Sequence, residues 1–188
     1  SALRRWDEAR PEYENALQLG RKAYGPEHRL LVPLLAEYGT FLGRQGDFDA
    51  ARPLLQQAVH ISEIDAGPGK SNDFLEQSLS RLASMEARSG DLAESLDLAA
   101  RAYGLARHRL GEGAVPTLRL RTLVAYRLLD LGDYAGGASH LQEIVPAMEK
   151  TQGPDHAQTL NGRLALLEAL LESADTTGVA KELAMARK

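Results

Sequence analysis

A glycine turn recurs along this chain at a nearly constant interval. It reads Gly25-Pro26-Glu27-His28, Gly67-Pro68-Gly69-Lys70, Gly111-Glu112-Gly113-Ala114 and Gly153-Pro154-Asp155-His156, in steps of 42, 44 and 42 residues. A large apolar residue that opens a helix follows the same rhythm at Trp6, Phe48, Leu92 and Tyr134. Each opener stands nineteen residues before its turn glycine, so two extra residues lie between Gly67 and Leu92, and the loop Gly67 to Asp73 is the place for them. A fixed period of this size with a constant internal offset is the mark of a stacked repeat array. One such unit cannot bury its apolar face alone; stacking makes the core and leaves a long concave surface.

Composition narrows the classes of partner. Apolar residues make up 44% of the 188, enough for a core, and aromatics only 5%; the excess of Leu and Ala favours helix over strand. A formal charge of −4 argues against a general nucleic-acid binder, which needs a basic face to displace counterions. The chain has no cysteine, which excludes disulfides and thiolate metal sites. No apolar run approaches the length of a membrane span, and no signal peptide is visible.

Each period holds two helices. The segment from Leu30 carries Leu31, Leu34, Leu35, Tyr38, Phe41 and Leu42 at helical spacing until Gly46-Asp47 stops it. Glycine takes the left-handed conformation past a helix end, and aspartate caps the next start. The same stop and start recur as Gly90-Asp91, with Glu94 at capping-box spacing, and as Gly132-Asp133. The fourth is Ala174-Asp175; with its glycine lost, this turn is expected to be looser. The predicted helices are Leu3–Ala23, Leu30–Gln45, Phe48–Ile64, Asp73–Arg88, Leu92–Arg109, Thr117–Leu131, Tyr134–Lys150, Ala157–Ser173 and Thr176–Arg187. Pro11 and Pro53 hold equivalent places early in their helices, while Pro146 sits deeper and should kink its own.

No linker, low-complexity tract or second domain is visible, so residues 1–188 read as a single array. It comprises a half repeat over 1–28 and repeats over 29–70, 71–114, 115–156 and 157–188. The first helix lacks a preceding partner, which leaves Trp6, Tyr13 and Leu17 to face solvent or a missing helix. The ragged ends suit a fragment of a longer protein.

The small-residue pattern distinguishes among helical repeats. Leu35, Tyr38, Gly39, Leu42, Gly46, Phe48, Ala51, Leu55 and Ala58 resemble the tetratricopeptide consensus of bulky, small, aromatic and turn positions. The series Leu79, Leu82, Ala83, Gly90, Leu92, Ser95, Ala99, Ala102 and the series Val124, Ala125, Leu128, Gly132, Tyr134, Gly137, Leu141, Ile144 repeat it. The long period, the Gly-Pro-Glu-His and Gly-Pro-Asp-His turns, and the string Gln45 to Leu55 resemble the forty-two-residue variety found in kinesin light chains and many bacterial proteins. This resemblance covers essentially the whole chain. It implies an all-α fold, a right-handed α-α superhelix of about four helix pairs and about nine helices.

The resemblance has limits. Kinesin light chains carry paired asparagines midway along the first helix of each repeat. The matching pairs here are Ala36-Glu37, Ser80-Arg81, Thr122-Leu123 and Leu164-Ala165, so that cargo-binding mode is not inherited. The chaperone-tail carboxylate clamp of paired lysine, asparagine and arginine is also missing.

Catalytic chemistry finds little support. Gly67-Pro68-Gly69-Lys70-Ser71 imitates the end of a phosphate-binding loop, but Ile64 stands where that motif needs glycine, and a helix precedes it in place of a strand. His28 and His156, three repeats apart, are turn residues placed to hydrogen-bond near a helix start. His60, His108 and His140 show no ligand spacing, and no serine sits in a nucleophile elbow. The reading is therefore non-enzymatic, with no catalytic residue, no cofactor and no metal.

The inner face of each first helix is the candidate site. It gives Ala36, Thr40, Gly43 and Arg44; Gln77, Ser80, Ser84 and Arg88; Arg119, Thr122, Tyr126 and Asp130; and Asn161, Leu164, Glu168 and Glu172. The groove residues proper are Thr40, Arg44, Gln77, Ser84, Arg88, Arg119, Thr122, Tyr126, Asp130, Asn161, Glu168 and Glu172. Arg44, Arg88 and Arg119 make the early part cationic, and Asp130, Glu168 and Glu172 make the late part anionic, a pattern that orients an extended peptide of alternating charge. The expected function is a cytoplasmic, bacterial protein–protein interaction scaffold that binds a peptide or partner protein in the concave groove, with no nucleic acid and no membrane as partner. The alternative is a regulatory or self-association domain of a larger signalling protein (a kinase, ATPase or transcription regulator), forming a homo-oligomer through the uncapped ends.

Overall fold

The computed structural model describes residues 2–185, with only the backbone described for residues 2–8 and for Thr176, Lys181, Leu183 and Met185. Among the described residues nine α-helices alternate with short turns, and no strand occurs. They are α1 (Ala2–Tyr24), α2 (Val32–Arg44), α3 (Phe48–Ala66), α4 (Asp73–Ser89), α5 (Leu92–Leu110), α6 (Val115–Asp130), α7 (Tyr134–Gln152), α8 (Ala157–Glu172) and α9 (Thr176–Met185), with a 3₁₀ turn at Arg29–Leu31. None is long and apolar enough to cross a membrane. The chain divides into two compact units, Ser1–Asp91 and Leu92–Lys188.

The turns hold these helices by backbone hydrogen bonds at fixed places. At the end of α6, the Gly132 N–H donates to Leu129 O (2.9 Å) and the Asp133 N–H to Leu128 O (2.9 Å), the paired bonds of a Schellman ending. Gly132 takes φ +81°, which a residue with a Cβ avoids. Asp133 then accepts from the Gly136 N–H at 2.9 Å, capping α7. Gly46-Asp47 does the same between α2 and α3, with Asp47 capping at Ala50.

The Ala174 turn corrects the expectation of a looser ending. Ala174 N–H donates to Leu171 O (3.1 Å) and Asp175 N–H to Leu170 O (2.9 Å), the same two bonds as in the glycine turns. Ala174 adopts φ +58° to make them, and Asp175 caps Gly178 at 2.9 Å. The capping aspartate and the two backbone bonds hold the geometry, while the alanine carries the left-handed strain.

Element boundaries differ from the sequence reading for local reasons. Helix α6 starts at Val115, two residues early, because Pro116 fits the first turn, where its missing N–H is not needed. Helix α2 begins at Val32, because residues 29–31 form the 3₁₀ turn capped by His28. Helices α3 and α7 run on to the residue before the glycines at 67 and 153, each of which bonds back four residues. The segment between Gly67 and Asp73 is two residues longer than its counterparts before Val115 and Ala157, so the insertion lies where the period placed it. Helix α7 runs through Pro146 without a break.

In the first unit α2 packs on α3, α3 on α4, and α2 also on α4. Leu35, Leu55 and Leu79 are fully buried there, as are Ala51, Ala58 and Ala83. Small residues set the spacing: a Cβ on Gly39 would lie 2.7 Å from Leu55 Cγ and 3.2 Å from the Ala51 carbonyl oxygen. Glu86, also buried, receives both Nε (2.8 Å) and Nη2 (2.6 Å) of Arg52, so α3 and α4 share a two-pronged ion pair. Leu17 and Tyr13 of α1 do not face solvent or a missing helix. Leu17 is buried, and Tyr13 stacks on Tyr38 with ring centroids 5.0 Å apart, because α2 supplies the surface. The side chain of Trp6 lies outside the described residues.

In the second unit α6 packs on α5 and α7, and α8 on α7 and α9. Leu141, Ile144, Val145, Met148, Leu166 and Leu170 form its core with Ala125, Ala138, Ala165 and Ala169. A Cβ on Gly137 would fall 3.3 Å from the Ala125 carbonyl oxygen, so α6 and α7 cross at a glycine as α2 and α3 do.

Two substitutions test the turn chemistry. Ala174→Gly should relieve about 1 kcal/mol of left-handed strain. Ala114, the N-cap of α6, has extended backbone and no side-chain bond, so Ala114→Asp should add about 1 kcal/mol. Each should raise the thermal midpoint by roughly 2–4 °C, read by circular dichroism.

Candidate functional site

Helices α2 and α4 present matching faces at i, i+4 spacing. Thr40, Gly43 and Arg44 come from α2, and Ser80, Arg81, Ser84, Met85 and Arg88 from α4; together they line a hollow of about 330 Å³. Gly43 is buried at its floor, where a Cβ would meet Met85 Cγ at 3.2 Å. Thr40 Oγ1 donates to the Ala36 carbonyl (2.7 Å) and accepts from Arg81 Nη1 (3.2 Å). Ser84 Oγ donates to the Ser80 carbonyl at 2.8 Å. These hydroxyls spend their protons on their own helices and keep lone pairs for a donor.

The arginines of this hollow divide by their partners. Arg81 is held by Glu37 at 2.5 Å. Arg44 and Arg88 are exposed and make no hydrogen bond or ion pair among the described residues. Each offers a planar fork of donors suited to a carboxylate. The hollow therefore carries two uncompensated positive charges beside hydroxyl groups. Of the groove residues read from the sequence, Thr40, Arg44, Ser84 and Arg88 meet here; Gln77 is exposed one turn away on α4, outside the lining, and Ala36 is buried.

The second unit has its own hollow, of about 200 Å³, lined by Arg119, Thr122 and Tyr126 of α6, Met148 of α7, and Gln158 and Asn161 of α8. Arg119, Thr122, Tyr126 and Asn161 of the expected set are thus gathered. Burial, and then the nearby charge of Glu168, push the Tyr126 phenol above its ordinary value, so it stays a donor. Asp130 turns instead to Arg127 at 3.2 Å, and Glu168 and Glu172 stand exposed on α8 outside the lining. Met148 and Gln158 were missed by the sequence reading. Met148 belongs to a second helix, which an inner-face pattern of first helices does not sample, and Gln158 lies in the first turn of α8.

The histidines are placed as turn chemistry dictates. His28 Nδ1 accepts from the Leu30 N–H and His156 Nδ1 from the Gln158 N–H, both at 3.3 Å. Asn72 plays that part at the start of α4, accepting from Leu75 at 2.8 Å. The Gly67–Ser71 stretch follows α3, a helix, as the phosphate-loop test assumed. No group of three metal-ligating side chains occurs among the described residues.

One histidine sits in a charged network. His140 Nδ1 accepts from Arg121 Nε (3.3 Å), Arg121 Nη2 reaches Glu143 (2.7 Å), and Tyr103 donates to Glu112 (2.9 Å). The Arg121 guanidinium also lies over the Tyr103 ring, 5.9 Å from its centroid. Burial first, and then the Arg121 charge, hold His140 below its ordinary value. The folded chain therefore binds this proton less well than the unfolded chain. Its contribution to stability is complete above the unfolded value near 6.5 and is lost as pH falls toward the folded one. Urea midpoints should drop between pH 7 and pH 5, and His140→Gln should reduce that drop.

The comparisons with known proteins agree with this architecture. Residues 1–63 match the family model described as Tetratricopeptide repeat. No curated protein matches the chain. Among solved structures, a Podosopora anserina kinesin light chain protein with nearly identical TPR-like repeats aligns, in a singly substituted form, with a TM-score of 0.80. The identity is 19%, over 97% of this chain and 85% of that one. A second structure of the same description, without the substitution, gives 0.79 at 19%, with the same coverage. BtubC (BKLC) from P. vanneervenii gives 0.77 at 15%, over 97% of this chain and 71% of that one. Tetratricopeptide sequence thus occupies residues 1–63, and the fold is that of kinesin-light-chain-like tetratricopeptide repeats.

Proposed function

We propose that this chain is a non-enzymatic interaction scaffold that holds an acidic segment of a partner protein against the α2–α4 face. Repeat arrays of this fold generally mediate contacts between proteins, using the inner faces of their first helices. The observation that carries the reading is the pair Arg44 and Arg88. Both project from a hollow that also offers Thr40, Ser80 and Ser84, and neither is paired with a carboxylate among the described residues. Other arginines of this unit are matched to carboxylates: Arg52 to Glu86, Arg81 to Glu37, and Arg10 to Glu14 and Asp47. Two unmatched guanidinium groups on one face steer and orient a carboxylate-bearing peptide.

In the second unit Arg119, Thr122, Tyr126 and Asn161 offer the same kind of surface, with Glu168 and Glu172 on α8 as acceptors for basic residues of the ligand. The setting is a cytoplasmic one, with protein as the partner.

Fluorescence anisotropy with a labelled peptide of alternating glutamate and alanine tests the reading. Binding should weaken as salt rises, and Arg44→Glu with Arg88→Glu should weaken it by about tenfold or more, the scale of one to two lost charge-assisted contacts. Equal affinity for the double variant, or for a lysine–alanine peptide, would refute it.

A further inference from the structure

The hollow of the first unit is built from two copies of one short pattern. A step of 44 residues relates Gly46 to Gly90, and with them Glu37 to Arg81, Thr40 to Ser84 and Arg44 to Arg88. The relation holds in space as well. Arg81 Nη2 reaches Glu37 at 2.5 Å and Arg81 Nη1 donates to Thr40 Oγ1 at 3.2 Å, so equivalent positions of α2 and α4 lie side by side. The helices meet at Gly43, which lies against Met85 of α4. Two axes in such contact run about 8–10 Å apart.

Two turns beyond the Glu37–Arg81 pair, the same two positions hold Arg44 and Arg88. Where the first pair joins opposite charges, this one sets two cations abreast, both exposed and without a carboxylate partner among the described residues. Anions from outside the chain relieve that repulsion. One turn earlier, Thr40 and Ser84 donate to the carbonyls of their own helices and keep acceptor lone pairs. Each helix offers the same two things, an acceptor oxygen and a guanidinium, and its neighbour offers them again one helix spacing away. A ligand that repeats its own groups at that spacing satisfies both sets.

We propose that the bound segment crosses α2 and α4 as a polyproline II strand with a carboxylate at every third residue, which rests on the reading of this face as an acidic-segment site and adds the ligand's register. Polyproline II rises about 3.1 Å per residue with three residues per turn, so residues three apart share a side at about 9.3 Å. That matches the helix spacing. A β-strand brings same-side residues to about 6.7 Å or about 13 Å, short of it or beyond it. An α-helix repeats a side every seven residues, at about 10.5 Å, but spends its N–H groups internally and leaves none for Thr40 and Ser84. Polyproline II has no internal hydrogen bonds, so its N–H groups stay free to donate. One ligand residue sets its carboxylate on Arg44 with a backbone N–H on Thr40; three residues on, Arg88 and Ser84 receive the same.

Fluorescence anisotropy with peptides of equal length and composition, built from glutamate, alanine and proline, tests the register. One repeats Glu-Ala-Pro, with glutamate at every third position; the other sets its glutamates at alternating steps of two and four. The first should bind about tenfold tighter, because both guanidinium groups are engaged at once. Arg44→Gln or Arg88→Gln alone should remove that advantage. Either should change the affinity of the second peptide by about twofold at most, since that peptide uses one fork at a time. A Glu-Ala-Gly repeat keeps the spacing but loses the preset backbone, and should bind several-fold more weakly than Glu-Ala-Pro. Both arginines are exposed, so the variants should keep the helical content of the parent, read by circular dichroism. Equal affinity for the two spacings, an advantage that survives either single variant, or a glycine repeat as tight as the proline one overturns the register and leaves the acidic-segment reading standing. If no glutamate peptide binds, that reading fails and the register with it.

Discussion

The close approach of paired helices, α2 with α3 and α6 with α7, governs the packing within each unit. It is possible only because the crossing points are glycine and alanine. At Gly39 an added methyl group would run into Leu55 and the Ala51 carbonyl; at Gly137 it would press on Ala125 and Leu129. Once the backbones are that near, Leu35, Leu55, Leu141 and Ile144 fill the remaining space and lose all contact with water. Each contributes about 1.5–3 kcal/mol by burial, so the hairpin is stabilised by large residues whose positions the small ones determine. The exposed faces of the first helices are what this packing leaves over, and the candidate ligand residues lie on them.

Much of this is legible in the chain because turns and crossings use residues with few alternatives. Glycine followed by aspartate marks three of the four hairpin turns, since a left-handed residue and an N-cap are needed in succession. The histidines after the Gly-Pro turns prove to be caps for the same reason. Legibility fails where one residue type can serve under strain. Ala174 makes the bonds of a glycine, because backbone hydrogen bonding and the Asp175 cap outweigh a left-handed penalty of about 1–2 kcal/mol. It fails also for Tyr13 and Leu17, whose burial depends on α2, a segment the local pattern of α1 cannot see.

The site was legible as faces and illegible as pairings. Helical periodicity places Thr40 with Arg44, and Ser84 with Arg88, on common stripes. It cannot tell that Arg81 is tied to Glu37 while Arg44 and Arg88 are left unmatched, because that depends on carboxylates from other turns and helices. The same holds for Asp130, taken up by its neighbour Arg127 one turn back. Charge on a repeat surface acquires meaning only after internal partners are subtracted. What remains in the α2–α4 hollow is cationic, carried by Arg44 and Arg88.

The six-residue passage between α3 and α4 has an implication for engineering. Gly67 closes the helix before it with a bond to the Glu63 carbonyl, and Asn72 opens the helix after it by accepting from Leu75. Each helix end thus has its own cap, and of the residues between them Ser71 donates to Glu76 of α4 at 2.8 Å, so an insertion belongs ahead of it. Lengthening a flexible connection costs only about 0.6 kcal/mol for each doubling. This passage already holds two residues more than its counterparts, and it is a ready port for grafting a tag, a reporter domain or a recognition sequence while the hairpins on either side keep their register.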